Sequence, residues 1–516
     1  MRVRPIVLLS LALLSVRIAF AASGNALLDA AAAGDATAVR ALLKQGQNVN
    51  GTGPDGATAL HWAVGADDLG TVDALLGAGA NVSATNVLGV TPIYIAASNG
   101  SASIVGRLLD AKADPNAADA TGETVLMAAV RAGSADAVRL LLDRGARVNQ
   151  TEPDLSHTSL MWAARTNNTE IMRMLLAAGA SVDAATRVGP RPAVRPPGAG
   201  GGSHGVGIVR SGVPPQGEQL PAPGGMTPLL FAARDGNLDA ARLLLEAGAK
   251  INTADPNGIT PLLMAITNNQ LRVARMLLDQ GADPKAVDWY GRPPLWAAVE
   301  MRNLDLRSSA TENGVDREAA MRLIEALVDK GADVNARVKE FPPARRYMLP
   351  LGSLEWVDMT GQTAFIRAAQ SGDVAVMRLL LAKGADPKIA TFNGTNALMT
   401  AAGVNWVVGQ TFSESMGAYL DAVKLCLDLG FDVNAVNQMG LAAVHGAANR
   451  GSDDIIELLA SRGARLDIAD KEGRTPTTWA EGVFLATNSP VAKPSTIALL
   501  QRLLQGPAST RTSAQQ

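Results

Sequence analysis

Glycine recurs in this chain at a spacing that few folds can carry. Gly46, Gly79, Gly145, Gly179, Gly248, Gly281, Gly331, Gly384, Gly430 and Gly463 each close a leucine-bearing stretch. The steps 46 to 79, 248 to 281 and 430 to 463 are each 33 residues, and 79 to 145 is twice that, with Lys112 at the halfway position. The stretch Asp255 to Ala286 shows what one period contains. Asn257-Gly258 marks a turn, because glycine takes the positive φ a tight turn needs. Thr260 can cap a helix with its hydroxyl, and Pro261 suits a first helical position, where no N–H is required. Leu262, Leu263, Ala265 and Ile266 make a short apolar helix, and Asn268-Asn269 breaks it. Ala274, Leu277 and Leu278 then share one face of a second helix, which Gly281 ends. A unit this small cannot bury its apolar faces alone. A fixed period of about 33 with a turn and two helices therefore predicts an all-α stack of neighbouring units.

The motif Thr58-Ala59-Leu60-His61-Trp62-Ala63 resembles the ankyrin signature T-P-L-H-x-A. Thr91-Pro92, Thr227-Pro228, Thr260-Pro261 and Thr475-Pro476 repeat its start, and Gly331-Ala332-Asp333-Val334-Asn335 repeats its end. The resemblance covers nearly the whole chain, with about twelve units between Asn25 and Gly506. It implies an ankyrin-repeat solenoid of helix-turn-helix units with β-turn fingers. It also implies a non-catalytic scaffold that binds a protein partner by a large preformed surface. Because such arrays bind unrelated proteins, the resemblance does not name the partner.

The chain opens on the pattern of a secretory signal. Arg2 and Arg4 are its basic start, Ile6 to Val16 its apolar core, and Ala19-Phe20-Ala21 an A-x-A cleavage site. That run is shorter than the roughly 20 residues a bilayer requires. Residues 1–21 are thus expected to be removed, leaving a periplasmic or secreted protein that begins at Ala22 and has no membrane span. The alanine-rich style suggests a bacterial source. A first array is expected over 22–184. Between Gly189 and Gly225, 19 of 37 residues are Gly or Pro, so 185–225 reads as a Gly/Pro-rich flexible linker or loop. A second array follows over 226–506, then a disordered tail over 507–516. Insertions are expected at 305–316, 403–417 and 482–493 between the helices of a unit, and at 338–358 between units.

Composition removes several classes of function. The formal charge of −2 falls to −5 once Arg2, Arg4 and Arg17 leave with the signal; a mildly acidic protein is not built to neutralise phosphates, so nucleic acid is disfavoured. Cys426 is the only cysteine and reads as a buried structural thiol. His61 and His445 occupy the signature histidine position, whose family role is to hydrogen-bond neighbouring turns. The four histidines and one cysteine offer no zinc pattern, and no cofactor is implied. Gly201-Gly202-Ser203-His204-Gly205 matches G-x-S-x-G, but it lacks the strand and helix that would expose a strained nucleophile.

Trp62, Trp162, Phe231 and Trp479 follow the signature histidine position and read as core. The turn tips differ, since a projecting tip should be polar unless something covers it. Leu88, Trp289, Tyr290, Phe392 and Met439 sit at tips beside Gly89, Gly291, Gly394 and Gly440. They are the candidate protein-binding residues; the alternative is packing between neighbouring tips or against an insertion. Two rival functions remain: a secreted effector acting on another cell, and an enzyme with Glu355 or Glu414 and the tryptophans Trp356 and Trp406 around a pocket in the insertions.

Overall fold

A computed structural model describes residues 25–190, 222–304, 314–339, 360–405, 416–483 and 491–505. The signal, the tail, the G-x-S-x-G match and most of each insertion lie outside these residues. The described residues hold 24 α-helices and no named strand, with isolated bridges only at Thr52–Thr58 and Ala118–Thr124.

The helices come in pairs, each a short inner helix followed by an outer one. The first five pairs are α1 (Ala26–Ala32) with α2 (Ala36–Lys44), α3 (Ala59–Gly65) with α4 (Leu69–Gly77), and α5 (Pro92–Asn99) with α6 (Ala102–Asp110), then α7 (Val125–Ala132) with α8 (Ala135–Asp143), and α9 (Ser159–Arg165) with α10 (Thr169–Ala177). Next come α11 (Pro228–Asp235) with α12 (Leu238–Glu246), α13 (Pro261–Thr267) with α14 (Leu271–Asp279), and α15 (Pro294–Arg302) with α16 (Arg317–Asp329). The last four are α17 (Ala364–Gln370) with α18 (Val374–Ala382), α19 (Ala397–Ala402) with α20 (Met416–Asp428), α21 (Ala443–Arg450) with α22 (Asp453–Ser461), and α23 (Pro476–Gly482) with α24 (Pro494–Gln505).

The chain divides into two compact units. The first holds the described residues up to Val188 together with Gly224–Ala232 and Asn237–Lys250. The second holds those of Gly189–Pro223, Ala233–Gly236 and everything from Ile251 onward.

The signature residues build each pair locally. Thr91, Thr124, Thr158, Thr260 and Thr363 accept a hydrogen bond from the backbone N–H three residues on, which starts the inner helix. Outer helices present one apolar face; Val138 and Leu141 of α8 are fully buried. The ten periodic glycines follow the outer helices at φ between +74° and +93°, and Lys112 takes their place at +73°. There a left-handed residue lets the chain turn off the helix with its last carbonyls satisfied.

Where a repeat ends on asparagine, that side chain joins it to the next repeat. Asn149 donates through Nδ2 to Gly179 O at 2.9 Å and accepts through Oδ1 from Ser181 N at 2.8 Å. Asn50, Asn116 and Asn434 make the same two bonds to the next repeat.

Two findings place the insertions. Around residues 190–221 the chain leaves and returns on the two arms of one finger: Thr186 N donates to Met226 O, Gly225 N to Thr186 O, and Gly189 N to Pro223 O at 2.9 Å. In the first unit Asn237 Nδ2 then donates to Ala164 O and Arg165 O, and Asn167 Oδ1 accepts from Ala240 N. Within the first unit the start of α12 thus seats on the pair α9 and α10. Both ends of the 185–225 segment are paired as a finger, and α12 belongs with the first unit. The 338–358 insertion repeats the device, with Val338 N donating to Gln362 O and Gly361 N to Val338 O.

The other three insertions lie between inner and outer helices. The outer helix after each is lengthened: α16 and α20 have 13 residues and α24 has 12, whereas the remaining outer helices have nine. The helix α20 starts at Met416, inside the expected 403–417 insertion.

Candidate functional site

Several fingers start on an Asp or Asn that fixes the turn, and that of Phe392 starts on Thr391, whose Oγ1 accepts from Thr395 N at 2.9 Å. Asn86 Oδ1 accepts from Leu88 N and Val90 N, Asp288 Oδ1 from Tyr290 N and Arg292 N, and Asn437 Oδ1 from Met439 N and Leu441 N. One carboxylate or amide oxygen thus holds two backbone donors, an Asx turn extended by two residues. Tips are then hydrogen-bonded to their neighbours. In the first unit Val87 N donates to Asp55 O, Ala120 N to Leu88 O and Arg187 N to Leu155 O. In the second, Trp289 N donates to Asn257 O, Lys339 N to Tyr290 O, Phe392 N to Thr360 O, Gln438 N to Asn393 O and Lys471 N to Met439 O. This main-chain ladder spends the polar groups of the tips on one another and leaves their side chains projecting.

The candidate residues divide accordingly. Leu88, in the first unit, is 63% exposed; Trp289 and Phe392, in the second, are 43% and 51% exposed. Tyr290 and Met439 are half-buried. The Arg337 guanidinium lies 4.3 Å from the Phe392 ring centroid while donating to Gly361 O and Ala390 O, so one face of that ring is covered. In the second unit Trp289, Tyr290, Phe392 and Met439 lie on three fingers of one row, with the 338–361 finger between the first and second of them.

Sequence reasoning missed several tip residues. Val87 is 71% exposed, and Leu155, Val188, Val287 and Val436 are exposed as well. A usable signal existed for Val87, which directly precedes Leu88-Gly89. For Val287 and Val436 the signal was position: each stands immediately before the Asx residue of its finger.

The inner-helix aromatics do not behave as one group. Phe231 and Trp479 are buried, and the Trp479 indole donates to Asp470 Oδ2 at 2.9 Å. Trp62 and Trp162 are half-buried. Arg165 stacks 4.6 Å from the Trp162 centroid and Arg131 lies 5.5 Å away, held by Glu123. The expectation that all four are core thus holds for Phe231 and Trp479 only: outward-facing inner-helix positions are covered in some repeats and open in others.

The three described histidines are bonded within the repeats. His61 Nδ1 accepts from Thr58 N, so the proton sits on Nε2, which donates to Val90 O at 3.1 Å in the next finger. His445 does the same between Ala442 N and Ile468 O. Burial holds both imidazoles below the ordinary histidine range, against the carbonyl bonds and the nearby Asp55 and Asp470 that favour the proton. His157 pairs instead with Glu152 at 2.9 Å. Burial pushes the Cys426 thiol up to about 12, far from a reactive thiolate. Among the described residues no group of three His, Cys, Asp or Glu could hold a metal ion, and no helix is long and apolar enough to cross a membrane. Glu355, Trp356, Trp406 and Glu414 lie outside the described residues.

A family profile described as "Ankyrin repeats (3 copies)" matches residues 12–86, 66–152, 93–186, 208–288 and 229–338, together more than half of the chain. A second, "Ankyrin repeat", matches 360–392. The human Ankyrin repeat and KH domain-containing protein 1 is 32% identical over 122 residues, which are 23% of this chain and 4% of that protein. An ankyrin repeat-containing protein of Schizosaccharomyces pombe is 42% identical over 66 residues, 13% of this chain and 32% of that protein. The Ankyrin repeat and KH domain-containing protein mask of Drosophila melanogaster is 30% identical over 122 residues, 23% of this chain and 3% of that protein. The matched part of this chain therefore spans a third or less of each relative's length.

Proposed function

The chain belongs to the ankyrin-repeat family, and from that premise we propose that it is an exported, non-catalytic scaffold whose finger row grips a protein partner. Ankyrin repeats are a protein-interaction module, and proteins built from them are typically binding modules without chemistry of their own. The observation that carries the finer reading is the exposure of large apolar side chains on tips whose backbones are already bonded to one another. Val87, Leu88, Trp289 and Phe392 stand exposed on such tips, and exposed apolar groups are what a partner surface covers. A rigid array also loses little entropy on binding. Export rests on the basic start, the apolar core and the A-x-A site of residues 1–21.

The test uses one variant and two readouts. A partner is first captured from the native cell envelope on the immobilised protein, identified by mass spectrometry and purified. Trp289→Ala with Tyr290→Ala should then weaken its affinity by about thirtyfold or more, the effect of removing a hot-spot anchor of about 2 kcal/mol. The unfolding midpoint should hardly move. A clear fall in stability with unchanged affinity would show that these aromatics are packing residues and would remove the finger row as the docking surface.

A further inference from the structure

The finger tips of the second unit present cations and turn their carboxylates inward. Five fingers are joined there by main-chain bonds: Lys339 N donates to Tyr290 O, Phe392 N to Thr360 O, Gln438 N to Asn393 O and Lys471 N to Met439 O. The bonds set Lys339 and Lys471 in one row with Trp289, Phe392 and Met439. A Cβ built on Gly291 would lie 2.6 Å from Lys339 Cγ, so the lysine stem lies across the turn that carries Trp289 and Tyr290. Both lysines are exposed. Among the described residues no carboxylate forms an ion pair with either. None pairs with Arg337, whose guanidinium donates to Gly361 O and Ala390 O beside the Phe392 ring.

The acids of these fingers are already engaged. The Asp288 side chain is 0% exposed and pairs with Arg292 at 2.7 Å; that of Asp470 is 1% exposed and pairs with Arg474 at 2.7 Å. Glu472, the remaining carboxylate of the described tips, also meets Arg474 at 2.7 Å. The fingers of Phe392 and Met439 start on Thr391 and Asn437 and bring no acid. Exposed acids stand elsewhere, two residues past the repeat glycines: Asp283, Asp333, Asp386 and Asp432 each turn one oxygen onto a backbone N–H. A chain of formal charge −2 thus keeps uncompensated cations beside the exposed aromatics of one row.

We propose that this row binds an acidic, extended segment of a protein partner, in which carboxylate and apolar side chains recur about every third residue. The inference rests on the finger row being the docking surface and adds the chemistry of what docks. Stacked helices lie about 10 Å apart and an extended chain rises about 3.3 Å per residue, so every third residue meets the next finger. Cations at the rim of an apolar contact select an acidic partner and speed its encounter. A nucleic acid would stack its bases on open ring faces. Arg337 already lies against one face of Phe392, and the acidic chain as a whole repels a phosphate backbone.

The experiment titrates the full chain, by fluorescence anisotropy, with a labelled peptide of five Glu-Leu-Ser repeats and with its Gln-Leu-Ser counterpart. At low salt the glutamate peptide should bind about tenfold more tightly, and the ratio should fall towards one at about 0.5 M sodium chloride. Lys339→Gln with Lys471→Gln should remove most of that ratio while leaving the unfolding midpoint and the affinity of the glutamine peptide unchanged. Equal binding of the two peptides, a ratio unchanged in the lysine variant, no binding of either peptide, or tighter binding of an oligothymidylate of similar length would each overturn the acidic partner. The variant Trp289→Ala with Tyr290→Ala separates the two readings. If it loses the captured partner while the lysine variant holds that partner in full, the finger row stands and the acidic class falls. If it keeps the captured partner, the finger row falls and takes this inference with it.

Discussion

At the residue scale the signature histidine is a one-proton clamp. His61 and His445 accept a backbone N–H at Nδ1 and donate from Nε2, an arrangement only the neutral ring can make. Both have folded pKa values below the unfolded value of about 6.5. The unfolded chain therefore binds protons more readily, and stability falls as pH drops below about 6.5, while above that value it is fully present. The midpoint of urea unfolding should decline between pH 7.5 and pH 5.5, a window in which ordinary carboxylates stay ionised. His61→Gln with His445→Gln should flatten that slope. A slope unchanged in the double variant would assign it to other groups. The histidine at the signature position was legible from sequence; its tautomer was not, because that depends on a carbonyl 29 residues away in the next finger.

At the element scale, close approach and finger closure decide most of what is specific here. The inner helices α19 and α21 touch backbone to backbone at Gly446, where an added Cβ would stand 2.4 Å from Val404 N and 2.7 Å from Gly403 C. Backbone cannot yield as a side-chain tip does, so Gly446→Ala should cost about 2 kcal/mol in denaturant unfolding. A change below about 0.5 kcal/mol would mean that the two helices separate freely. The segment 191–221 tests the opposite case. Its flanks are already joined by the Gly189–Pro223 hydrogen bond, so the chain there closes without it. Replacing 191–221 by Asn-Gly should leave the unfolding midpoint within about 4 °C, since shortening a loop whose ends meet changes closure entropy only slightly. Loss of cooperative unfolding would show that the segment contributes to the core.

For the whole molecule, repetition sets the fold and departures from repetition set the individuality. Most helix pairs share a Thr cap or a glycine turn, whereas lengthened outer helices appear only after the insertions at 305–316, 403–417 and 482–493. Arg367 of α17 and Arg450 of α21, both buried, donate back to Asn303 O and Ala401 O at the ends of α15 and α19. Export is the one property of the whole chain that its first residues would control. N-terminal sequencing of material recovered outside the cytoplasm should return Ala22; Met1 would remove the export reading.

The period of 33, the Thr-Pro starts and the glycine ends sufficed to determine an all-α repeat array, because each acts through a hydrogen bond or a φ value within its own unit. The tip candidates were legible for the same reason, since a finger is a local turn. Other features waited for the tertiary structure, because they join residues far apart in the chain. Asn237 reaches back 73 residues to Ala164, a contact that the composition of 185–225 did not reveal. Arg337 covers a face of Phe392 from another finger. Arg367 gave no sign in the sequence of being buried, because the burial of a charge is fixed by which helices meet there.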